Sequence, residues 1–293
     1  LVNNNTIPHR HFTSNLFAGR NLLIVTKHGK EKIFGPIFEK ELDTNCVLNN
    51  YFDTDSLGTF SGEIERTLDP LAAAMRKCQL GLEASPFDLA IACEGSFGPH
   101  PQIPFAYANE EFLVLMDKKN DLCIATRELS LQTNFDAATI KHSSELLAFI
   151  KKADFPNHKL IIRKSKTDYT EIEKGISSWT RLTEVFNSLM EKHGSVYVET
   201  DMRAMNNPTR MAVIESATWQ LIKKIKKTCP SCQCPGFSVI SGKAGLPCLG
   251  CGEPSQSLIS VNYGCQKCSY TEEVLFPNNI KHADPAHCDF CNP

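Results

Sequence analysis

The chain has 293 residues, 42% of them hydrophobic, a formal charge of −2 and thirteen cysteines. That length can bury one sizeable core plus a small appended module. No stretch reaches the roughly 20 consecutive apolar residues of a membrane span. The opening LVNNNTIPHRHF lacks an apolar run, so a reducing, cytoplasmic setting is expected rather than a disulfide framework.

Residues 1–17 are polar and aperiodic and are expected to form an arm. Residues 18–228 alternate strand and helix patterns, which predicts an α/β domain with a mixed sheet and flanking helices. Asn21–Thr26 reads as a buried strand. Ile33, Phe34, Ile37, Phe38 and Leu42 give an amphipathic helix that either starts near Phe34 or kinks at Pro36. Residues 44–50 read as a second strand and 51–68 as a long loop. Asp69 and Pro70 cap and open a helix over Leu71–Glu83. Phe87–Cys93 is a buried strand that runs into a Gly/Pro-rich turn at 94–101. Phe112–Met116 and Leu122–Thr126 form a hairpin around Asp117–Asp121. The remaining elements are helix Ser144–Lys152, strand Lys159–Arg163, helix Glu173–Lys192, strand Ser195–Glu199 and helix Pro208–Lys227, capped by Asn207.

Three polar clusters follow predicted strands, where open α/β sheets place their ligands. In the first, Thr26-Lys27-His28-Gly29-Lys30 joins a strand, a glycine turn and a helix N-terminus. Lys27, His28 and Lys30 could hold a phosphate there, or the segment is a solvated turn. The second cluster places Glu94 after an apolar strand. Gly95 and Gly98 would let backbone approach a ligand, with Ser96 and His100 as candidate contacts. The alternative is a turn whose carboxylate caps a neighbouring helix. In the third, Glu199, Asp201 and Arg203 share one face of an extended segment. They bind metal and phosphate together or form a closed ion-pair network that docks the last helix, the second reading being favoured. A fourth, acidic stretch from Asp53 to Glu65 contains Glu63. Its carboxylates could hold Mg or Mn against phosphate oxygens, although most acidic loops are simply solvated.

The strongest signal is four Cys-x-x-Cys pairs, Cys229/Cys232, Cys248/Cys251, Cys265/Cys268 and Cys288/Cys291. Two thiolates three positions apart can face one ion, and two such pairs complete a tetrahedral shell. Residues 229–293 are therefore expected to form a small module with two zinc-ribbon-like sites of four cysteines each. Such sites are closed to water and structural rather than catalytic. The gaps of 15 residues between pairs one and two and 19 between pairs three and four fit sequential sharing; interleaved sharing is the alternative. The module carries three Lys against five acids, and each zinc held by four thiolates adds about −2. This acidity disfavours nucleic acid and suits a lid or a protein-contacting module.

Several strings, among them TKHGKEK, YFDTDSLGTF, ACEGSFGPHPQIPF, ETDMRAMNNPTRM and the terminal CDFCNP, resemble a bacterial family of unknown function over nearly the whole chain. That resemblance implies no activity. Residues 21–126 are also similar in order to the inosine/xanthosine triphosphate pyrophosphatase-like fold. Thr26, His28 and Lys30 stand where its members carry T-x-N-x-x-K, with His for Asn and the Lys one position early. Gly58-Thr59-Phe60 with Glu63 is similar to a G-x-T-F-x-E-N-A-like loop that lacks the Asn-Ala here, Ala74–Lys77 to A-x-x-K-A, and Asp88–Gly95 to a strand ending in an acid and a glycine. This second resemblance implies Lys30 on phosphates, Glu63 and Glu94 holding Mg or an attacking water, and hydrolysis of a phosphoanhydride. Two other readings compete with it. One is a non-enzymatic nucleotide sensor whose cysteine module contacts a protein partner. The other is RNA binding through Lys223–Lys227, Arg203 and Arg210. The hydrolase reading expects Lys30, Glu63, Glu94 and His100 in one cleft.

Overall fold

The computed structural model describes residues 15–51, 68–103 and 105–293. The fold is mixed α/β with a cysteine-rich C-terminal part, the class expected from the sequence. The chain divides into two units, Phe17–Leu221 and one containing Ile222–Pro293.

In the first unit, β1 (Asn21–Val25), β2 (Asn45–Leu48), β3 (Leu89–Pro99), β4 (Tyr107–Asp117) and β5 (Leu122–Ser130) form a sheet in the order β2-β1-β3-β4-β5. Strand β1 is parallel to β2 and β3, whereas β3, β4 and β5 form an antiparallel meander. Helix α1 (Glu31–Leu42) connects β1 to β2, and α2 (Pro70–Ala84) precedes β3. The two crossovers run in opposite directions along the sheet, so right-handed connections put the helices on opposite faces. Helix α1 runs through Pro36 from Glu31, earlier than expected, and buries Phe34, Ile37 and Phe38. Helix α2 is capped as expected, the Asp69 carboxylate accepting from the Ala72 N–H at 3.0 Å. Its small residues let it lie close to the sheet: a Cβ on Gly81 would meet Val25 Cγ2 at 2.7 Å. Ala74, Cys78 and Leu82 pack there on Leu23, Val25, Ala90, Ala92 and Val114.

Where β4 turns into β5, Arg20 donates to Asp117 at 2.7 and 2.8 Å and to Asp88 at 2.9 Å. Burial pushes the Asp117 carboxyl up, but hydrogen bonds from Arg20 and Asn120 outweigh it and hold the group below the usual carboxylate range. The folded state therefore binds this proton more weakly than the unfolded chain. The resulting stabilisation is present above the unfolded-state value and lost as pH falls through the folded one. Replacing Arg20 by Leu should cost about 2 kcal/mol at pH 7 and flatten the dependence of the urea midpoint on pH between 2 and 5.

The second sheet of this unit has the order β6-β9-β7-β8, from β6 (Ala137–Ile140), β7 (Leu160–Ser165), β8 (Asp168–Ile176) and β9 (Val196–Thr200), all antiparallel. Helices α3 (Ser143–Lys152) and α4 (Trp179–His193) cover one face, burying Phe149, Leu182 and Phe186 against Leu160, Ile162, Val196 and Val198. The helix expected over Glu173–Lys192 begins only at Trp179, and residues 168–176 are a strand instead. The cause is local. Gly175 takes φ 73°, outside helical space, and the Ser178 hydroxyl accepts from the Arg181 N–H to start α4.

Helix α5 (Pro208–Lys226) follows a short 3-10 turn at Ala204–Asn206, and the division between the units falls within it. Asn207 caps it, its Oδ1 accepting from the Arg210 N–H at 2.9 Å. The Ile222–Pro293 unit contains a three-stranded antiparallel sheet, β10 (Ser238–Ala244), β11 (Leu258–Gly264) and β12 (Thr271–Leu275).

Candidate functional site

The turn after β1 is built from two consecutive left-handed residues, His28 at φ 73° and Gly29 at φ 82°. It sits against the Ala204–Asn206 turn: a Cβ on Gly29 would lie 3.3 Å from Met205 Cβ. Lys30 ends the turn as the N-cap of α1. Its side chain does not project into solvent. It crosses to the neighbouring parallel strand, donates to the Cys93 carbonyl at 2.9 Å, and leaves the residue 4% exposed. The next residue on β3, Glu94, is 5% exposed and forms an ion pair with Lys77 of α2. Burial lowers the Lys77 pKa, with Glu94 opposing and Lys30 reinforcing the effect. Two ammonium groups thus lie near one carboxylate, where β1 ends beside the middle of β3.

The expected turn at 94–101 is corrected here: β3 continues to Pro99, paired with β4 throughout. Glycine at 95 is required by what lies beneath it. Gly95 is opposite Glu111, and a Cβ there would meet Arg210 Nη2 at 2.5 Å and Glu111 Oε1 at 2.6 Å. Glu111 and Arg210 are both fully buried. Arg210 Nε donates to Glu111 Oε1 at 2.7 Å, Nη2 to Oε2 at 3.3 Å and Nη1 to the Met202 carbonyl at 2.5 Å. Its guanidinium also lies 5.2 Å from the Phe97 ring. The Cys93 thiol donates to Glu111 at 3.2 Å and is pushed up to about 12 by burial, so it is an unreactive filler.

Asp201, buried, accepts from Arg203 Nη2 at 2.6 Å and Asn206 Nδ2 at 2.7 Å. Glu199 pairs with Arg163 at 3.1 Å. These contacts make a polar network within the 199–210 segment, and Arg210 ties that segment to β4 through Glu111. The Thr26–Lys30 turn, Glu94 and the 199–210 segment therefore lie together. His100 does not join them. It is six residues beyond Glu94 along an extended strand, roughly 20 Å away, where its Nδ1 accepts from the Gln102 N–H at 3.1 Å. Ser96 is half-buried on β3, His28 half-buried and Lys27 exposed. Glu63, with Asp53, Asp55 and Glu65, lies outside the described residues.

Glu111 and Lys77 were missed as site residues and Arg210 was named only as a possible RNA contact, yet each carried a signal of burial. Glu111 falls in the alternation that places Leu113 and Leu115 on a buried face, and Arg210 lies four residues before Ile214 in the α5 apolar stripe. Lys77 adjoins Ala73, Ala74 and Cys78 on the buried side of α2. A charge in an apolar stripe predicts a buried partner.

The cysteines form two groups, Cys229/Cys232/Cys265/Cys268 and Cys248/Cys251/Cys288/Cys291, each with its sulfurs within 4.8 Å of one another. Sharing is interleaved, which corrects the sequential pairing favoured by the gaps. Sulfur–sulfur distances of 3.6 Å (Cys229–Cys268, Cys232–Cys265), 3.8 Å (Cys248–Cys291) and 3.7 Å (Cys251–Cys288) are too long for a disulfide. They match the ~3.8 Å edge of a tetrahedron whose metal–sulfur bonds are about 2.3 Å. The turns repeat one design. The first cysteine N–H of three pairs donates to the carbonyl five residues on: Cys229 to Cys234, Cys248 to Glu253 and Cys265 to Tyr270. Left-handed Gln233, Gly252 and Ser269 close those turns. Each group could hold one metal ion.

Residues 77–293 match the family model of a domain of unknown function, DUF6671. The chain belongs to that family. The DUF6671 match includes Lys77, Glu94, Glu111, Arg210 and all eight paired cysteines, whereas β1, Lys30 and Glu63 precede it. No curated protein matches the chain. No helix among the described residues is long and apolar enough to cross a membrane.

Proposed function

We propose that the Phe17–Leu221 unit binds the phosphates of a nucleotide or related phosphoanhydride where β1 ends beside Glu94 of β3, and hydrolyses it, while the C-terminal unit carries two structural zinc ions. The observation that carries this reading is the pair of withdrawn lysines. Lys30 and Lys77 are both largely buried; Lys77 pairs with Glu94, whereas the Lys30 ammonium meets only the Cys93 carbonyl among the described residues. Buried charge without a counterion is costly, and a bound anion relieves it. The chain's resemblance over residues 21–126 to triphosphate pyrophosphatases agrees with this placement. Outside the cysteine groups, no cluster of acidic or His residues among the described residues could hold a metal. Glu94 lies against an ammonium, so Mg or Mn would be held by the ligand's phosphates and by carboxylates such as Glu63. Such an ion would lower the pKa of an attacking water; Glu94 would orient that water, and Lys30 and Lys77 would take the charge of the leaving pyrophosphate.

Nucleoside triphosphates screened with Mg or Mn should release pyrophosphate. Glu94→Gln should lower turnover about 10²–10⁴-fold with little change in the thermal midpoint. No product from any triphosphate, together with tripolyphosphate binding unchanged in Lys77→Met, would sink the proposal. Binding should also weaken as pH rises, because only the protonated amine attracts phosphate. With the Lys77 value lowered by burial, that loss begins below the range of an ordinary lysine. Lys77→Arg should move the alkaline limb upward in a titration of tripolyphosphate binding.

A second reading, nucleotide sensing without turnover, is favoured by Lys77 occupying Glu94. Its partner surface would be the apolar groove of about 620 Å³ in the C-terminal unit, lined by Val239, Leu246, Leu258, Val261, Tyr263 and Ile280. RNA binding gains nothing from Lys227, whose ammonium lies 3.4 Å from the Tyr263 ring centroid and 5.9 Å from that of Phe237. RNA affinity should be negligible at physiological salt.

A further inference from the structure

The two cysteine groups are built from similar turns but are unequally protected. In the first, Cys229 and Cys232 are buried and Cys265 and Cys268 half-buried. Cys265 and Cys268 occupy the turn that joins β11 to β12. Buried Phe237 packs beside that turn, its ring centroid 5.7 Å from that of Tyr263 and 5.9 Å from that of Tyr270. In the second group, Cys248 and Cys288 are buried, whereas Cys251 and Cys291 are exposed. This group stands outside the sheet. Cys248 and Cys251 lie in the loop between β10 and β11, and Cys288 and Cys291 in the segment after β12. The residues between its cysteines turn outward: Gly250 has no side chain, and Leu249 and Phe290 are 69% and 76% exposed.

Oxidation of a cysteine follows its thiolate character and its access to solvent. Binding to zinc makes each of these sulfurs a thiolate, and Cys251 and Cys291 add the access. They also have each other. Their sulfurs lie within 4.8 Å, so a closing movement of less than about 3 Å brings them to the length of a disulfide bond. Charge selects the oxidant. Glu253 and Asp289 flank the group in sequence and add to the charge of about −2 on a zinc held by four thiolates. That field repels anionic oxidants and admits neutral peroxide.

We infer that Cys251 and Cys291 form a peroxide-sensitive modification site, whose oxidation to a disulfide expels the second zinc and leaves the first in place. The inference rests on the zinc reading of the cysteine groups. One exposed thiolate attacks the peroxide: an S–O bond forms, the O–O bond breaks and hydroxide leaves. The other thiolate attacks that sulfur, and a second hydroxide leaves as the S–S bond forms. The two thiolates lose two electrons, the peroxide gains them, and solvent protons convert both hydroxides to water. Cys248 and Cys288 are then half of a tetrahedral shell, and the ion dissociates. The Ala283 N–H donates to the Pro247 carbonyl and the Leu249 N–H to the Ala283 carbonyl, each at 2.9 Å, so this group fastens residues 277–293 to the loop between β10 and β11. Pro277, Ile280, His282 and Ala283 of that segment line one side of the apolar groove. Oxidation therefore loosens the groove, while the first zinc still holds the turn between β11 and β12.

The test adds hydrogen peroxide to the full zinc-loaded chain, follows released metal with a colorimetric chelator and maps disulfides on unreduced peptides. One ion per chain should leave in an early phase, and the first cross-link should join Cys251 to Cys291. Cys229→Ser with Cys265→Ser retains the second ion alone and should lose it in the early phase. Cys248→Ser with Cys288→Ser retains the first ion alone and should hold it through that phase. Both ions leaving together, or a first cross-link elsewhere, overturns the inference. Two ions held with no release overturn it and leave the zinc reading standing. A chain that binds no metal overturns both. If a double variant fails to fold, the wild-type release phases and cross-link map decide the question by themselves.

Discussion

A strong zinc chelator should make Ile222–Pro293 sensitive to protease while Phe17–Leu221 keeps its fold. The C-terminal unit has few large buried apolar side chains, and the thiols of Cys229, Cys232, Cys248 and Cys288 make up much of its interior. Structural zinc contributes about 10–16 kcal/mol in small domains of this kind, far more than such a core supplies. Metal analysis should give two ions per chain, and serine substitutions then read the connectivity. Cys229→Ser and Cys265→Ser should each release the same ion, so the double variant still keeps one. Combining Cys229→Ser with Cys248→Ser should release both. If that second combination keeps one ion, the interleaved arrangement is wrong. A tail that stays protease-resistant after complete metal removal would show that the ions are not structural.

The second large effect is expected inside the first unit. Arg210→Met should destabilise it by about 3–5 kcal/mol, measured by urea denaturation. The change strips the Glu111 carboxylate of its two guanidinium bonds and leaves it deep among apolar side chains. Burial disfavours the charged guanidinium, but Glu111 outweighs it and the Arg210 pKa is raised. Joint replacement, Arg210→Met with Glu111→Leu, should recover most of the loss because no lone charge remains. A double variant as unstable as the single would mean that shape, not charge, dominates the site. Gly95→Ala tests the same place from above, since its methyl would intrude on both partners.

The legible parts of this fold were those set by local pattern. The N-cap at Asp69, the buried strand at Asn21–Val25 and the hairpin before Leu122 follow from residue type and alternation over a few positions. The turn expected at 94–101 failed for a non-local reason. Glycine at 95 makes room for Glu111 and Arg210, which lie 16 and 115 positions along the chain, rather than bending the backbone. Strand β8 was hidden for a related reason. Glu171 and Glu173, whose spacing runs on into the helix pattern, serve ion pairs with His193, Lys192 and Arg181 across the sheet and helix surface. In the cluster around Glu94, the sequence named Lys30 and the acid but not Lys77 as its counterion. Nothing local shows that α2 passes over β3 at that point.

Interleaved thiol pairs also set an order of events during synthesis. As the chain leaves the ribosome, Cys229, Cys232, Cys248 and Cys251 are the first four of the eight paired thiols to emerge, before the second half of either native set exists. Translation proceeds from the N-terminus, so these four could capture an ion as a non-native set before Cys265 appears. Reaching the final arrangement then requires ligand exchange at the ion, with Cys265 and Cys268 displacing the nearer pair and freeing it to await Cys288 and Cys291. Maturation of this protein should accordingly respond to how quickly metal is supplied as well as to how much, and slow delivery after chain completion should favour the native pairing.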